Sequence, residues 1–331
     1  MLRITLAIAF IAATTLAETN ANAQAMAIAT PIAGPTGMMT SASDHRLWVV
    51  NTRSLPDDAC QAPLLQPAFK VSQLDLCKRT TPSSIDDFLN QRDPSRPVVI
   101  SVHGNRMGAD DAIERGIFTF QQTMAYSHGV AVDYVVFSWP ADQQGILIID
   151  GREKAERTDA EGLYLAWLCR ELVDRQTPIT IIGFSFGGRV ATGAMHALAG
   201  GRLGGRTLPG AHRTGAEIAV GLVAPALEDG WLRPGRYHGM ATQNIRQISI
   251  LYNRRDAVLR RYWLIDKVRG RMAMGYTGPS GIGPRLDGSP MPLSSRDCSP
   301  TLGIHHDEKR YYTAGCRAGQ QMAKLITLQD L

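Results

Sequence analysis

Apolar residues follow two patterns along the chain after residue 45. Continuous apolar runs, typical of strands buried on both faces of a sheet, occur at 97–102 and 179–182. Longer stretches with apolar residues at helical spacing predict helices at 109–126 and 152–173. Further strands are predicted at 47–52, 132–139, 218–223 and 248–252. Strands that alternate with helices predict an α/β fold, with a mostly parallel, doubly wound sheet flanked by helices.

A serine between glycines stands directly after the run at 179–182. The sequence there is Gly183-Phe184-Ser185-Phe186-Gly187-Gly188, followed by a predicted helix. The order strand, G-x-S-x-G, helix is typical of a nucleophile elbow, a sharp turn that holds a serine hydroxyl near a base. Gly183 and Gly187 fit such a turn, because its strained backbone leaves little room for side chains. The alternative is a glycine-rich turn that only packs a helix on a strand.

The amino terminus predicts export. A positive start at residues 1–3 precedes an apolar run at 4–16, and Ala21-Asn22-Ala23 forms a small-x-small cleavage site. The run is too short to span a bilayer, so residues 1–23 are predicted to be a secretory signal peptide, with an uncleaved signal anchor as the alternative. Residues 24–44 are predicted to be a disordered tether, and residues 45–331 one α/β domain. The mature protein is expected to be periplasmic or secreted.

Composition narrows the classes of partner. The net charge is +5 and 44% of residues are hydrophobic, while the mean hydropathy of −0.12 excludes an integral membrane protein. Arginine is frequent from 254 to 271, which fits a solvated surface or a face for anionic substrates, cell-wall polymers or membrane head groups. The aromatic interleaving typical of nucleic-acid binding is absent, so no nucleic-acid partner is predicted. The oligomeric state stays open.

Five cysteines bear on the compartment and on metal binding. In an oxidising compartment, Cys60–Cys77 and Cys298–Cys316 are predicted to form local disulfides, each closing a short loop, although four cysteines allow three connectivities. Cys169 falls in a helical pattern and is predicted to be a buried free thiol. Neither C-x-x-C nor H-E-x-x-H occurs, so no metal site and no cofactor are predicted.

Beyond the elbow, the chain resembles the α/β-hydrolase superfamily over residues 45–331. Val135-Val136-Phe137-Ser138-Trp139-Pro140 and Asn253-Arg254-Arg255-Asp256 resemble a poorly characterised bacterial branch of it. His103-Gly104-Asn105 follows a predicted strand where that superfamily carries its His-Gly oxyanion motif. Asp256 follows a later strand at the position of the family's acid, and His305 and His306 lie near the carboxyl terminus, where the family places its base. The chain order Ser…Asp…His also matches.

The resemblance implies a serine hydrolase with a Ser-His-Asp triad. Ser185 would attack a carbonyl carbon, and the backbone N–H groups of Phe186 and Asn105 would bind the oxyanion. His103 would shape the oxyanion loop by bonding to nearby backbone. The implied substrate is a small-molecule or lipid carboxylic ester. A serine peptidase or amidase on the same fold, and a non-catalytic binding protein that retains the fold, are the alternatives.

Two of the implied roles have rivals. His306 is favoured as the base because Asp307 and two tyrosines follow it, as in family members, and His305 is the alternative. Asp256 is favoured as the acid, although Glu228 and Asp229 follow an earlier strand from which some hydrolases draw theirs. Asp256 would equally suit a helix N-cap.

The stretch 270–300 is rich in Gly, Pro and Met, and it is predicted to be a long loop beside the substrate pocket.

Overall fold

The computed structural model describes residues 45–143, 147–266, 271–313 and 315–327. They belong to a compact unit that spans Met38–Leu331. The predicted signal peptide (1–23) and the predicted tether (24–44) lie outside the described residues. Within the described ranges, no helix combines the length and apolarity needed to cross a bilayer.

Nine strands form one sheet in the part of the chain that the structure describes. Their spatial order is β3-β2-β1-β5-β4-β6-β7-β8-β9. Strand β2 is antiparallel to β1 and β3, and every other pair of neighbours is parallel. The strands are β1 (Arg46–Asn51), β2 (Lys70–Leu74), β3 (Thr80–Ser83), β4 (Val98–Val102), β5 (Asp133–Ser138), β6 (Ile179–Phe184), β7 (Ile218–Val223), β8 (Ile245–Tyr252) and β9 (Leu293–Asp297). The predicted α/β fold with a mostly parallel sheet is confirmed.

Helices connect and flank these strands. Those of the described residues are α1 (Ile85–Asn90), α2 (Ala109–Met124), α3 (Leu147–Val173), α4 (Phe186–Leu198), α5 (Trp263–Asp266), α6 (Met274–Thr277), α7 (Ser299–Leu302), α8 (Glu308–Thr313) and α9 (Ala318–Thr327). Helices α3 and α4 pack against each other, and α9 packs against α2 and β7. Strands β4 to β7 are entirely buried, so both faces of the central sheet are covered.

The predicted elements differ from the observed ones mainly at the two edges of the sheet. Strands β2 and β3 were not predicted, and neither was β9, which lies within the stretch 270–300 predicted to be a long loop. That stretch also contains α6. The five residues of β9, Leu-Ser-Ser-Arg-Asp, are all exposed, so this edge strand has no apolar run for a pattern to detect.

The predicted disulfides require correction. All five cysteines lie within the described ranges, and each is a free thiol. The sulfur of Cys60 contacts the carbonyl oxygen of Gly204 at 3.7 Å, while Cys77 lies in the exposed turn between β2 and β3. Cys298 and Cys316 are neighbours, and a hydrogen bond from the Cys298 thiol lowers the pKa of Cys316 below its usual value. The structure therefore brings only the second pair together, as thiols.

Candidate active site

Ser185 occupies a strained turn between β6 and α4. Its backbone angles are φ 52° and ψ −117°, in a region that residues with a side chain rarely adopt. The surrounding backbone holds this conformation: Ser185 N–H donates to Val223 O at 3.0 Å, and Ser185 O accepts from Gly188 and Ala226 N–H, each at 3.0 Å. These bonds tie the turn to the next strand, β7, and to the segment that follows it.

Two glycines allow the turn to approach its neighbours. A Cβ on Gly187 would lie 2.0 Å from Val102 O, at the end of β4. A Cβ on Gly183 would lie 2.6 Å from Gly187 O. Both clashes are with backbone atoms, which cannot rotate away as a side chain could. The glycines are thus required by close packing of β4, β6 and α4 around Ser185.

We expect Gly187→Ala to lower the free energy of unfolding by more than about 3 kcal/mol, because overpacking against backbone forces the elbow apart. Gly188→Ala is the matched control, since its Cβ would meet the Pro225 side chain at 3.1 Å, where small adjustments suffice. Urea unfolding of both variants measures the difference. Equal stabilities for the two variants would contradict this account of the turn.

Asp256, His306 and Ser185 form a continuous chain of hydrogen bonds. His306 Nε2 lies 2.9 Å from Ser185 Oγ, and His306 Nδ1 lies 2.7 Å from Asp256 Oδ2. Asp256 is fully buried and the His306 side chain is 11% exposed. The Phe184 ring stacks on the imidazole, with centroids 5.1 Å apart. Residues from three distant parts of the chain therefore meet at the carboxyl ends of β6 and β8.

Asp256 serves two sets of partners through its two oxygens. Oδ1 accepts hydrogen bonds from the N–H groups of Val258 and Leu259, each at 2.9 Å, and so caps the following turn. Oδ2 remains free to face His306. The capping bonds hold the carboxylate in one orientation, so Asp256 caps the turn with one oxygen while its other oxygen contacts His306.

Asn253 connects the segment carrying Asp256 to the segment carrying His306. Its side-chain N–H₂ donates to Gly303 O at 2.9 Å and to His305 O at 3.2 Å, and its Oδ1 accepts from Arg255 N–H at 2.9 Å. Asn253 is completely buried. Sequence reasoning assigned it no role, although its place in a tight turn three residues before Asp256 was a signal.

His103 is bound on both ring nitrogens by backbone. Nδ1 lies 2.8 Å from Gly104 O, and Trp139 N–H donates to Nε2 at 3.2 Å. A carbonyl can only accept, so Nδ1 carries the proton. The ring stacks on the Trp139 indole, with centroids 5.5 Å apart. Burial lowers the pKa of His103 to about 3, and the imidazole is therefore neutral at physiological pH.

The loop after His103 passes directly beside Ser185. A Cβ on Gly104 would lie 3.2 Å from Ser185 Cβ and 2.8 Å from the Phe184 ring, so only glycine fits without displacement. Phe186 opens helix α4, where the first N–H groups have no partner inside the helix. In the described part of the chain, neither Asn105 N–H nor Phe186 N–H is bonded to a backbone or side-chain acceptor.

The rival acid and base residues lie in other networks. Glu228 Oε2 accepts from Trp231 Nε1 at 3.0 Å and pairs with Arg271. Asp229 Oδ1 accepts from Ser280 N–H at 3.2 Å. His305 holds the loop through its backbone, and its ring is hydrogen-bonded to no side chain among the described residues.

An arginine that sequence reasoning did not single out braces the segment after His306. Arg115 of α2 places Nη1 3.4 Å from Glu308 Oε2 and 3.7 Å from Asp307 Oδ1. Glu308 is buried, and burial raises its pKa to about 7 despite the nearby guanidinium. These contacts tie the His306 segment to α2, which begins just after the loop of residues 103–108.

Two cavities in the described residues lie away from Ser185. One of about 420 Å³ is lined by residues of β1 and β2, including Trp48. Another of about 350 Å³ is lined by residues that precede β6 and β7, among them Thr177, and by Arg246 near the start of β8. Neither contains a residue of the elbow or of the segments carrying Asp256 and His306.

Comparison with solved structures finds only distant likenesses. The chain is similar to esterase B from Lactobacillus rhamnosis (14% identity, TM-score 0.43, covering 98% of each chain). It is also similar to an esterase from Pyrobaculum calidifontis (15%, TM-score 0.36, covering 80% of this chain and 81% of that one). A carbohydrate esterase from gut microbiota is 12% identical (TM-score 0.37, 72% and 87% covered). No curated protein is a significant match to the sequence.

A protein-family comparison is more informative. The family described as "Alpha/beta hydrolase of unknown function (DUF900)" matches residues 78–267, more than half of the 331-residue chain. The matched region includes β4, the elbow with Ser185, and Asp256, while His306 lies beyond its end. The protein belongs to this family of α/β-hydrolases.

Proposed function

We propose that the protein is a serine hydrolase that cleaves carboxylic esters through an acyl-enzyme on Ser185. The observation that carries this proposal is the chain of hydrogen bonds at 2.9 and 2.7 Å that links Ser185 Oγ through His306 to Asp256. A nucleophile, a base and an orienting acid within such distances are the parts that activation of a serine requires.

The direction of proton transfer follows from the groups that face each imidazole nitrogen. Asp256 Oδ2 is a carboxylate oxygen and accepts the N–H of His306 Nδ1, which leaves a lone pair on Nε2. Nε2 then accepts the Ser185 hydroxyl proton as Oγ attacks the carbonyl carbon. The buried Asp256 stabilises the imidazolium that forms, and its capping bonds prevent it from turning away.

In this mechanism, two backbone donors bind the negative oxygen of the tetrahedral intermediate. Phe186 N–H belongs to the residue after the nucleophile, and Asn105 N–H belongs to the loop that passes Ser185 at Gly104. Because neither N–H has another acceptor among the described residues, both can bind the oxyanion without breaking an existing bond. One such donor typically contributes about 3 kcal/mol to transition-state stabilisation.

The second half of the reaction reuses the same groups. His306 returns its proton to the departing alcohol, leaving the acyl group on Ser185. It then takes a proton from a water molecule that attacks the acyl-enzyme and passes that proton to Ser185 Oγ as the acyl–Oγ bond breaks, which releases the carboxylic acid and restores the free serine. An ester releases its alcohol more readily than an amide releases its amine, so esters place the smallest demand on this site.

Export of the protein stays a prediction from residues 1–23.

The test compares p-nitrophenyl esters of short and long acyl chains with p-nitroanilides of the same acyl groups. We expect turnover of the esters with an initial burst of about one equivalent of p-nitrophenol, the signature of an accumulating acyl-enzyme. We expect much slower cleavage of the anilides. Cleavage of anilides but not esters would replace this proposal with an amidase or peptidase. Failure to cleave either set would favour a non-catalytic binding protein.

A further inference from the structure

Large apolar side chains are exposed next to the segments that carry Asp256 and His306. Val258 is 57% exposed, Trp263 39% and Ile304 53%. The chain contains five tryptophans, all in the described residues, and the other four are at most 7% exposed. Trp263 is therefore the exception among the tryptophans, and packing in the core does not explain why it is exposed.

These side chains lie on one surface because of the local backbone. Asp256, Leu259 and Tyr262 are buried, and this spacing of three matches the tight turns that lead into α5. Of the residues between them, Val258 and Arg260 are exposed, while Ala257 and Arg261 are half-buried. Ile304 is brought to the same place by a backbone hydrogen bond, in which Ala257 N–H donates to Ile304 O at 3.0 Å.

Exposed cations alternate with these apolar residues. Arg255 and Arg260 are both exposed within the same turns. The only acidic residue between 254 and 263 is Asp256, which is fully buried and bonded to His306. We use the term basic–apolar surface for Arg255, Val258, Arg260, Trp263 and Ile304.

We propose that the basic–apolar surface docks the protein on an anionic phospholipid bilayer. Tryptophan and aliphatic side chains insert at the boundary between head groups and acyl chains, while guanidinium groups pair with lipid phosphates. The charges of this surface complement an anionic bilayer, because no exposed carboxylate lies between residues 254 and 263 to repel the lipid phosphates.

Docking in this orientation would bring lipid to the candidate site. Ile304 is two residues before His306, and Arg255 directly precedes Asp256. The bilayer would therefore face the same edge of the sheet at which Ser185 lies. If the proposed function holds, on which this step rests, the substrates are esters taken from a lipid phase rather than from solution.

The test uses the full chain carrying Ser185→Ala, so that docking is measured without hydrolysis. Vesicles of phosphatidylglycerol and phosphatidylcholine in equal amounts are compared with vesicles of phosphatidylcholine alone, with tryptophan fluorescence as the readout. We expect a blue shift and protection from acrylamide on anionic vesicles only. Adding Trp263→Phe should remove the shift, because the remaining tryptophans are buried.

The charge requirement is tested with two double variants in the same background. Arg255→Gln with Arg260→Gln should weaken binding to anionic vesicles by about 30-fold, at about 1 kcal/mol per arginine. Arg79→Gln with Arg202→Gln is the matched control: both arginines are exposed, one between β2 and β3 at the far edge of the sheet and one beyond the carboxyl end of α4. The control should bind like the parent.

Three outcomes would overturn the proposal: no change at Trp263 with either vesicle, an equal change with neutral vesicles, or equal weakening in both double variants. The last would assign binding to net charge alone. Because Ser185 is absent throughout, a failure of docking leaves ester hydrolysis untouched. An inactive wild-type enzyme whose Ser185→Ala variant still docks would instead sink only the proposed function.

Discussion

Replacement of Ser185 by alanine is expected to lower kcat for ester hydrolysis by about 10⁶-fold. Without Oγ, no acyl-enzyme can form, and only direct attack by water aided by the oxyanion donors remains. The variant should fold, because alanine removes one oxygen atom and leaves the backbone hydrogen bonds of the turn in place. Steady-state assay with the best p-nitrophenyl ester measures the loss.

Covalent labelling checks the same prediction independently of turnover. A fluorophosphonate should label wild-type protein once, at Ser185, and should not label Ser185→Ala. The control is Ser294→Ala on exposed strand β9, which should be labelled like the wild type. Labelling of Ser185→Ala at another residue, together with retained ester turnover, would show that this serine is not the nucleophile.

Replacement of His306 by alanine should lower kcat almost as far as the loss of Ser185, again by about 10⁶-fold, because nucleophile and base act as one unit. Nε2 of His306 lies 2.9 Å from Ser185 Oγ, and among the described residues no other histidine nitrogen is hydrogen-bonded to that oxygen. The double variant Ser185→Ala with His306→Ala should be no slower than either single variant. Kinetics of the three variants test this non-additivity.

His305→Ala is the control for His306→Ala, since it removes the same side chain from the adjacent position. It should retain activity within about tenfold of the wild type, because its ring takes no part in the chain of hydrogen bonds to Ser185. If His305→Ala were the slower of the two variants, the assignment of the base would be reversed. If both variants stayed active, His306 would not be the base.

The central strands could be predicted because their burial is complete. Strands β4, β6 and β7 appear in the sequence as continuous apolar runs, and each is buried along its whole length. Edge strand β9 could not be predicted in this way, since pairing with β8 stabilises its backbone while its side chains remain in water. Pairing between distant segments leaves no periodic signal in the residues involved.

The elbow was recognisable because its chemistry is local. Ser185, Gly183 and Gly187 lie within five consecutive residues, and their spacing follows from one turn. The choice between His305 and His306 was not local. It depends on the loop that carries His306, which is held by Asn253 at the end of β8 and by Arg115 of α2. It also depends on Asp256, which lies 50 residues before His306 in the chain.

The order of apolar segments and the glycine spacing were enough to place a candidate nucleophile on an α/β sheet, because both depend on contacts close in sequence. Which carboxylate and which histidine lie within hydrogen-bonding distance of that serine's chain of contacts depends on contacts between segments far apart in the sequence. Such contacts exist only after folding, when the carboxyl ends of parallel strands meet at one edge of the sheet.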